Sequence, residues 1–207
     1  MTCKVISVVD DTNRAHQLER SLKHFGWDYE IIQASWRGFG TKLNKTNEYL
    51  HANPDVKEFI FLDGYDTFVL GTPEQIMPHF TNVNTLISGE VNCWPDADRY
   101  TLIDEVYEAN AKYKFRFPNS GSYYMRAAFF KNLMGQTSVH DDMDDQRIMT
   151  DWVLSNNMNI DVRRNVFQTL CGILPTDLDN GITDLGAQPL IIHGNGKAKM
   201  ETFYNLI

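Results

Sequence analysis

Phe59-Ile60-Phe61-Leu62-Asp63-Gly64-Tyr65-Asp66 is the stretch that decides how this chain folds. Its first four residues are apolar without alternation, the pattern of a strand buried on both faces in the centre of a helix-covered parallel sheet. The next four turn polar, with a glycine between two carboxylates. Working outward, apolar runs suited to strands alternate with segments of helical periodicity. That alternation predicts an α/β domain with a mostly parallel sheet flanked by helices. Towards the N-terminus, Val5 to Val9 predicts a first strand. Thr12 or Asn13 then caps a helix with Ala15, Leu18, Leu22 and Phe25 on one face, and Gly26 ends it. Asp28 to Gln33 predicts a second strand, and Leu43 to His51 a helix stopped by Asn53-Pro54.

Towards the C-terminus, Thr72-Pro73-Glu74-Gln75 has a capping-box arrangement with proline at the first helical position. Strands are predicted over Thr85 to Ser88, Ser122 to Met125 and Pro189 to Ile192. Helices are predicted over Leu102 to Ala111, Ala127 to Met134 (closed by Gly135) and Asp142 to Ser155. No repeat or linker divides the chain, so a single domain over 1–207 is expected.

Of the 207 residues, 43% are apolar and 22% charged, which suffices for a sizeable core and excludes a wholly disordered chain. Nineteen Lys and Arg against 27 Asp and Glu leave a net charge of −8, whose field repels nucleic acid and acidic lipid. The apolar run Val5 to Val9 is far too short for a membrane span or a secretory signal, so a cytoplasmic protein away from membranes is expected. Cys3, Cys93 and Cys171 are odd in number and lack a CxxC pair, against both a disulfide framework and a thiolate zinc site. The Asn44-Lys45-Thr46 acceptor triplet is read as chance.

In open α/β sheets ligands bind beyond the carboxyl ends of the strands. Two such places stand out: Asp63-Gly64-Tyr65-Asp66, and His193-Gly194-Asn195-Gly196 after Pro189 to Ile192. Asp63 and Asp66 can turn both carboxylates to one side, and His193 can add a nitrogen. Two carboxylates and an imidazole suit Mn²⁺ better than Ca²⁺ and leave positions open for phosphate oxygens. Taken alone, DxxD is a turn with two solvated aspartates; the second strand end is what favours a metal. Gly194 and Gly196, followed by Lys197 and Lys199, can offer N–H groups and charge to phosphate, or form a plain glycine turn. Neither this segment nor Gly38-Phe39-Gly40 has NTPase-loop or dinucleotide spacing. Asp141, Asp142, Asp144 and Asp145 head a helix, either as dipole compensation or as a carboxylate wall for a sugar. Tyr65 and Trp36 are candidates to stack on a base or sugar, and Asn119-Ser120-Gly121 reads as a polar turn before a strand.

Trp36-Arg37-Gly38, Phe61 to Asp66, Cys93-Trp94-Pro95, Asn119-Ser120-Gly121, Asp144-Asp145-Gln146 and Ile192 to Gly196 occur here in one order. In that order they resemble the glycosyltransferase domain of procollagen lysyl hydroxylases, nearly end to end. The resemblance implies a GT-A fold, a UDP-sugar donor, and Mn²⁺, or Mg²⁺ in its place, held by Asp63, Asp66 and His193. It implies that Tyr65 stacks on uracil, that Trp36 and Lys42 contact the donor, and that Lys199 reaches the diphosphate. Asn119, Ser120, Gly121, Asp144, Asp145 and Gln146 would line the sugar pocket, with Asp144 and Asp145 as candidate catalytic groups.

Two departures bear on the pocket. A family threonine at the end of the first strand is Asp10 here, which touches the contacts expected from Val8 to Asp10. The family's second glycine after Asn-Ser is Ser122, expected to narrow the pocket. With no hydroxylase region after Ile207, a free-standing unit like compact viral or bacterial relatives is expected.

The expected reaction is transfer of a hexose, glucose before galactose, to a hydroxyl acceptor such as hydroxylysine or galactosyl-hydroxylysine. A protein acceptor is favoured over a hydroxylated nucleobase by the negative charge. A non-catalytic nucleotide-sugar or glycan-binding module and a metal-dependent nucleotidyltransferase are the alternatives.

Overall fold

Residues 3–171, 189–198 and 200 are described by a computed structural model of the chain. A six-stranded sheet runs through it, built from β1 (Cys3–Val9), β2 (Tyr29–Gln33), β3 (Glu58–Leu62), β5 (Thr85–Glu90), β6 (Phe117–Arg126) and β7 (Ile160–Asp161). Their order is β2-β1-β3-β6-β5-β7. A second sheet has three strands in the order β4-β9-β8, namely β4 (Thr67–Val69), β8 (Phe167–Thr169) and β9 (Ile191–His193). The helices are α1 (His16–His24), α2 (Gly40–Ala52), α3 (Pro73–Ile76), α4 (Tyr100–Val106), α5 (Ala127–Gln136) and α6 (Asp145–Asn156).

The apolar run of β3 is explained by two cores, one on each face. Phe59 and Phe61 join Ile6, Val8, Tyr123 and Met125 beneath α2, α5 and α6, which contribute Leu43, Leu50, Phe130, Met149 and Trp152. Ile60 and Leu62, offset by one residue, join Val5 and Tyr124 against Leu18 and Leu22 of α1 and Val69 and Ile191 of the small sheet. Strand periodicity of two thus feeds both layers from one apolar segment. β3 is parallel to β1 but antiparallel to β6, so the central sheet is mixed around one reversed strand.

Several boundaries differ from the sequence reading, each for a local reason. The first helical segment is capped by Asp11, whose carboxylate accepts the Asn13 N–H at 3.0 Å, and opens as a 3-10 turn over Thr12–Ala15. Gly135 lies inside α5 instead of closing it. β6 begins five residues before Ser122, so Asn119-Ser120-Gly121 is strand, not turn. There the register with β5 jumps from Ile87–Tyr123 to Ser88–Asn119, leaving Ser120, Gly121 and Ser122 outside the β5 ladder. Such a bulge re-aims backbone and side chains, and it sits at the strand ends where ligands bind. Among the described residues, no helix is long and apolar enough to cross a membrane.

Candidate functional site

Asp63 and Asp66 follow β3, and His193 closes β9, whose partner β4 begins at Thr67 opposite that histidine. The Gly194 N–H donates to the Asp66 carbonyl at 2.7 Å, fastening the two strand ends together. One potential ligand atom from each of Asp63, Asp66 and His193 lies within 4.8 Å of the others. His193 Nε2 is 3.7 Å from Asp63 Oδ2 and 3.6 Å from Asp66 Oδ1.

The histidine tautomer follows from its other nitrogen. Nδ1 is 2.9 Å from Asn119 Oδ1, which also accepts the Gly121 N–H at 3.1 Å. An amide oxygen only accepts, so Nδ1 carries the proton and Nε2 turns its lone pair towards the two carboxylates. The backbone at Gly121 completes the cradle. A Cβ there would lie 2.0 Å from His193 Cε1, 2.6 Å from Nε2 and 2.7 Å from Asp63 Oδ2. Two hard oxygen donors, one oriented imidazole and a space that glycine keeps clear fit a divalent cation.

Lys42 of α2 is buried behind this cluster, 2.8 Å from Asp63 Oδ1 and 2.6 Å from Asp145 Oδ2. Burial pulls its pKa down, but the charges of Asp145 and Asp63 more than reverse this and hold the ammonium above its ordinary value. Asp145 and Asp66 are both pushed up by burial and by the charge of Asp63, and in both the Lys42 ammonium opposes the shift. Among the described residues, Asp63, Asp66 and Asp145 gather around the one buried ammonium of Lys42, an imbalance that a divalent cation would remove.

Two cavities meet here, sharing Phe39, Lys42, Asp63 and Asp66 in their walls. The larger, about 660 Å³, is lined by Asn119, Ser120, Gly121, Asp144, Asp145 and Gln146, with His193 and Gly196 also on its wall. The smaller, about 310 Å³, is lined by Val8, Asp10, Arg14, Trp36, Gly64 and Tyr65. Both volumes lie in the range of small-molecule sites. Asp144 caps α6 by accepting the Arg147 N–H at 2.9 Å, so the acidic run both caps a helix and lines the cavity.

Gly194 stands apart from the expected set. Its N–H is engaged by Asp66, and a Cβ on it would sit 2.0 Å from Met200 Sδ, so its place is packing and not the cavity wall. Lys199 lies outside the described residues. Ser122 is buried opposite Leu62 and is absent from the larger cavity's wall, so the expected narrowing does not arise from it. Asp10 accepts a hydrogen bond from the Tyr65 hydroxyl.

Glu90, at the end of β5, was not singled out in the sequence. It is 3% exposed, and its Oε1 accepts from Asn119 Nδ2 at 3.3 Å and from Gln146 Nε2, while Oε2 accepts from Asn195 Nδ2 at 3.0 Å. Burial raises its pKa against the lowering effect of these donors. The signal that marks Asp63, a polar residue just beyond an apolar strand, marks Glu90 as well.

A family model described as the PLOD GT domain matches residues 2–206. A procollagen-lysine,2-oxoglutarate 5-dioxygenase of Drosophila melanogaster is 28% identical over 208 residues, covering 91% of this chain and 28% of that protein. Multifunctional procollagen lysine hydroxylase and glycosyltransferase LH3 of Homo sapiens is 27% identical over 187 residues, covering 81% of this chain and 24% of its own length. The uncharacterized protein R699 of Acanthamoeba polyphaga mimivirus is 29% identical over 200 residues, with 90% and 42% covered. The chain therefore spans less than half the length of each of these relatives.

Among solved structures, a glycosyltransferase involved in glycosylation of the major capsid of PBCV-1 is similar over 100% of both chains. Its TM-score is 0.59 at 10% identity. Galactosyltransferase LgtC, solved with donor and acceptor sugar analogues, has a TM-score of 0.53 at 13% identity, covering 98% of this chain and 94% of its own. The fold is that of the GT-A glycosyltransferases.

Proposed function

Because the chain belongs to the PLOD GT domain family of glycosyltransferases, we propose that it transfers a hexose, glucose before galactose, from a UDP-sugar to a hydroxyl acceptor. The observation that carries this reading is the convergence of Asp63, Asp66 and an oriented His193 where the two cavities meet. We assign the smaller cavity to the nucleoside, with Tyr65 beneath the base and Trp36, Val8 and Asp10 around it. The larger is assigned to the hexose and the acceptor hydroxyl.

Asp63, Asp66 and His193 would hold Mn²⁺, with Mg²⁺ as substitute. When bound, such an ion would supply the positive charge that a diphosphate leaving group calls for, so that no proton donor would be needed there. The chain's own residues orient the rest. Asp145, fixed between Lys42 and the bulged β6, presents negative charge to the sugar ring as positive charge develops there. Asn119, Ser120, Gly121 and Gln146 give the hexose hydroxyls a fixed polar wall. One Asp144 oxygen caps α6, and we assign the other to the acceptor hydroxyl proton. Collagen-modifying relatives support a hydroxylysine-type acceptor on a protein over a hydroxylated base.

The test is UDP release from UDP-glucose with Mn²⁺, measured with and without EDTA, alongside transfer to hydroxylysine and galactosyl-hydroxylysine peptides. Metal-dependent UDP release with glycosylated peptide is the expected result. Pyrophosphate as product would indicate nucleotidyl transfer instead, and tight UDP-sugar binding without turnover would indicate a binding module.

A further inference from the structure

We propose that Arg14 is the outer clamp of the nucleoside slot, so that a base seated on Tyr65 lies between the phenol ring and the Arg14 guanidinium. The inference rests on the nucleotide-sugar reading above and adds to it a residue that the motifs do not contain.

Tyr65 is immobilised through its hydroxyl. The oxygen accepts the backbone N–H groups of Asp10 at 3.1 Å and Asp11 at 3.0 Å, and the hydroxyl donates to the Asp10 carboxylate. Its ring is therefore a fixed platform. Above that ring lies the Arg14 guanidinium, with Cζ 4.0 Å from the centroid, a cation–π stack in the place a planar ligand would take.

Arg14 is the partner that can yield. Its side chain is 62% exposed, it rises from the 3-10 turn Thr12–Ala15, and its ion pair with Asp10 is long at 4.0 Å. A base entering at ordinary stacking distance lifts the guanidinium by roughly one ring thickness, about 3.5 Å, and is then stacked on both faces. Asp10 stays beside the arginine and offsets its charge, so Arg14 serves here as a planar surface more than as a cation for the diphosphate. Asp10 thereby does two things, holding the tyrosine and balancing the charge of the arginine above it.

Calorimetric titration with Mn²⁺-UDP and with Mn²⁺-pyrophosphate, which lacks a base, tests the assignment. For Arg14→Ala, UDP should bind about tenfold more weakly than to the wild type while pyrophosphate stays within about twofold. Arg14→Lys should recover little, because an ammonium has no planar face. Equal losses for both ligands would make Arg14 a phosphate contact. Unchanged or tighter UDP binding would make it a mere cover of the empty ring, and full recovery by lysine would reduce it to bare charge. Each of these overturns the clamp. Wild-type protein that prefers UDP over pyrophosphate, with Arg14→Ala keeping that preference, removes the clamp alone. A wild type with no such preference removes the nucleotide-sugar reading and the clamp with it.

Discussion

Around the larger cavity the polar side chains are buried and hold one another. Asn119, Gln146 and Asn195 all donate to Glu90, Asn119 also fixes His193, and Lys42 joins Asp63 to Asp145. Around the smaller cavity the walls are looser. Trp36 is 41% exposed and touches Phe39 edge-on at 5.7 Å, and the Arg14 and Asp10 side chains are largely solvated. A rigid polar wall suits the end where charge develops, because its dipoles need no reorganisation during reaction. An adjustable wall suits the end that only grips a flat base. Substitutions on the two sides should therefore differ in kind as well as size.

The largest effect is expected at Gly121. The Cβ of Gly121→Ala would meet His193 and Asp63 at 2.0–2.7 Å, and neither can step back, since one is tied to Asn119 and the other to Lys42. Mn²⁺-dependent UDP binding should fall about 100-fold. Stability should fall by about 1–3 kcal/mol, the usual range for overpacking. Calorimetry and thermal melting read the two effects separately, and an unshifted Mn²⁺ affinity would mean that the rigid wall does not extend to the metal ligands.

Glu90→Gln should act less strongly and through a different route. The oxygens of Asn119 and Asn195 are already engaged, by Gly121 N–H and His193 in one case and by Leu170 and Cys171 N–H in the other. Their NH₂ groups are thus fixed towards Glu90, and only a side chain with two acceptors satisfies both sides. A glutamine must turn a donor against a donor, at a cost of about 1–3 kcal/mol. Loosening Asn119 should weaken Mn²⁺ binding about tenfold. Neutralising a carboxyl whose pKa is raised by burial would by itself stabilise the fold, so a rise in melting temperature would show that desolvation, not the hydrogen-bond network, dominates there.

This contrast also explains what the sequence disclosed. β3 was legible because both faces of Phe59 to Leu62 are covered, Asp63 and Asp66 because they flank the turn after that strand, and His193 because it ends an apolar strand. The start of β6 was not, because Phe117-Pro118-Asn119-Ser120-Gly121 has the composition of a turn. Its polarity serves the bulge and the cavity wall, so the site overrides strand propensity. β4, β7 and β8 have three, two and three residues, too few for periodicity to register. Glu90 carries only the positional signal of a polar residue beyond an apolar run, and its partners come from Asn119, Gln146 and Asn195, which only the fold assembles. Arg14 was silent for the same reason, since its place over Tyr65 depends on a contact across 51 positions of sequence.

The smallest effect is expected at Trp36. Truncating an exposed ring whose described aromatic neighbour is Phe39 removes little core packing, so Trp36→Ala should change stability by no more than about 0.5 kcal/mol. If the tryptophan contacts the donor's nucleoside half, UDP affinity should drop by about threefold to tenfold, within the range for one aromatic stacking partner. Mn²⁺-pyrophosphate, confined to the metal end, should bind unchanged. Comparable losses for both ligands would mean that Trp36 shapes the metal site through the start of α2, where the Gly40 N–H is bonded to the Met143 carbonyl at 2.8 Å next to Asp144 and Asp145. In that event the two cavities would be mechanically coupled, and the adjustable wall would be adjusting the rigid one.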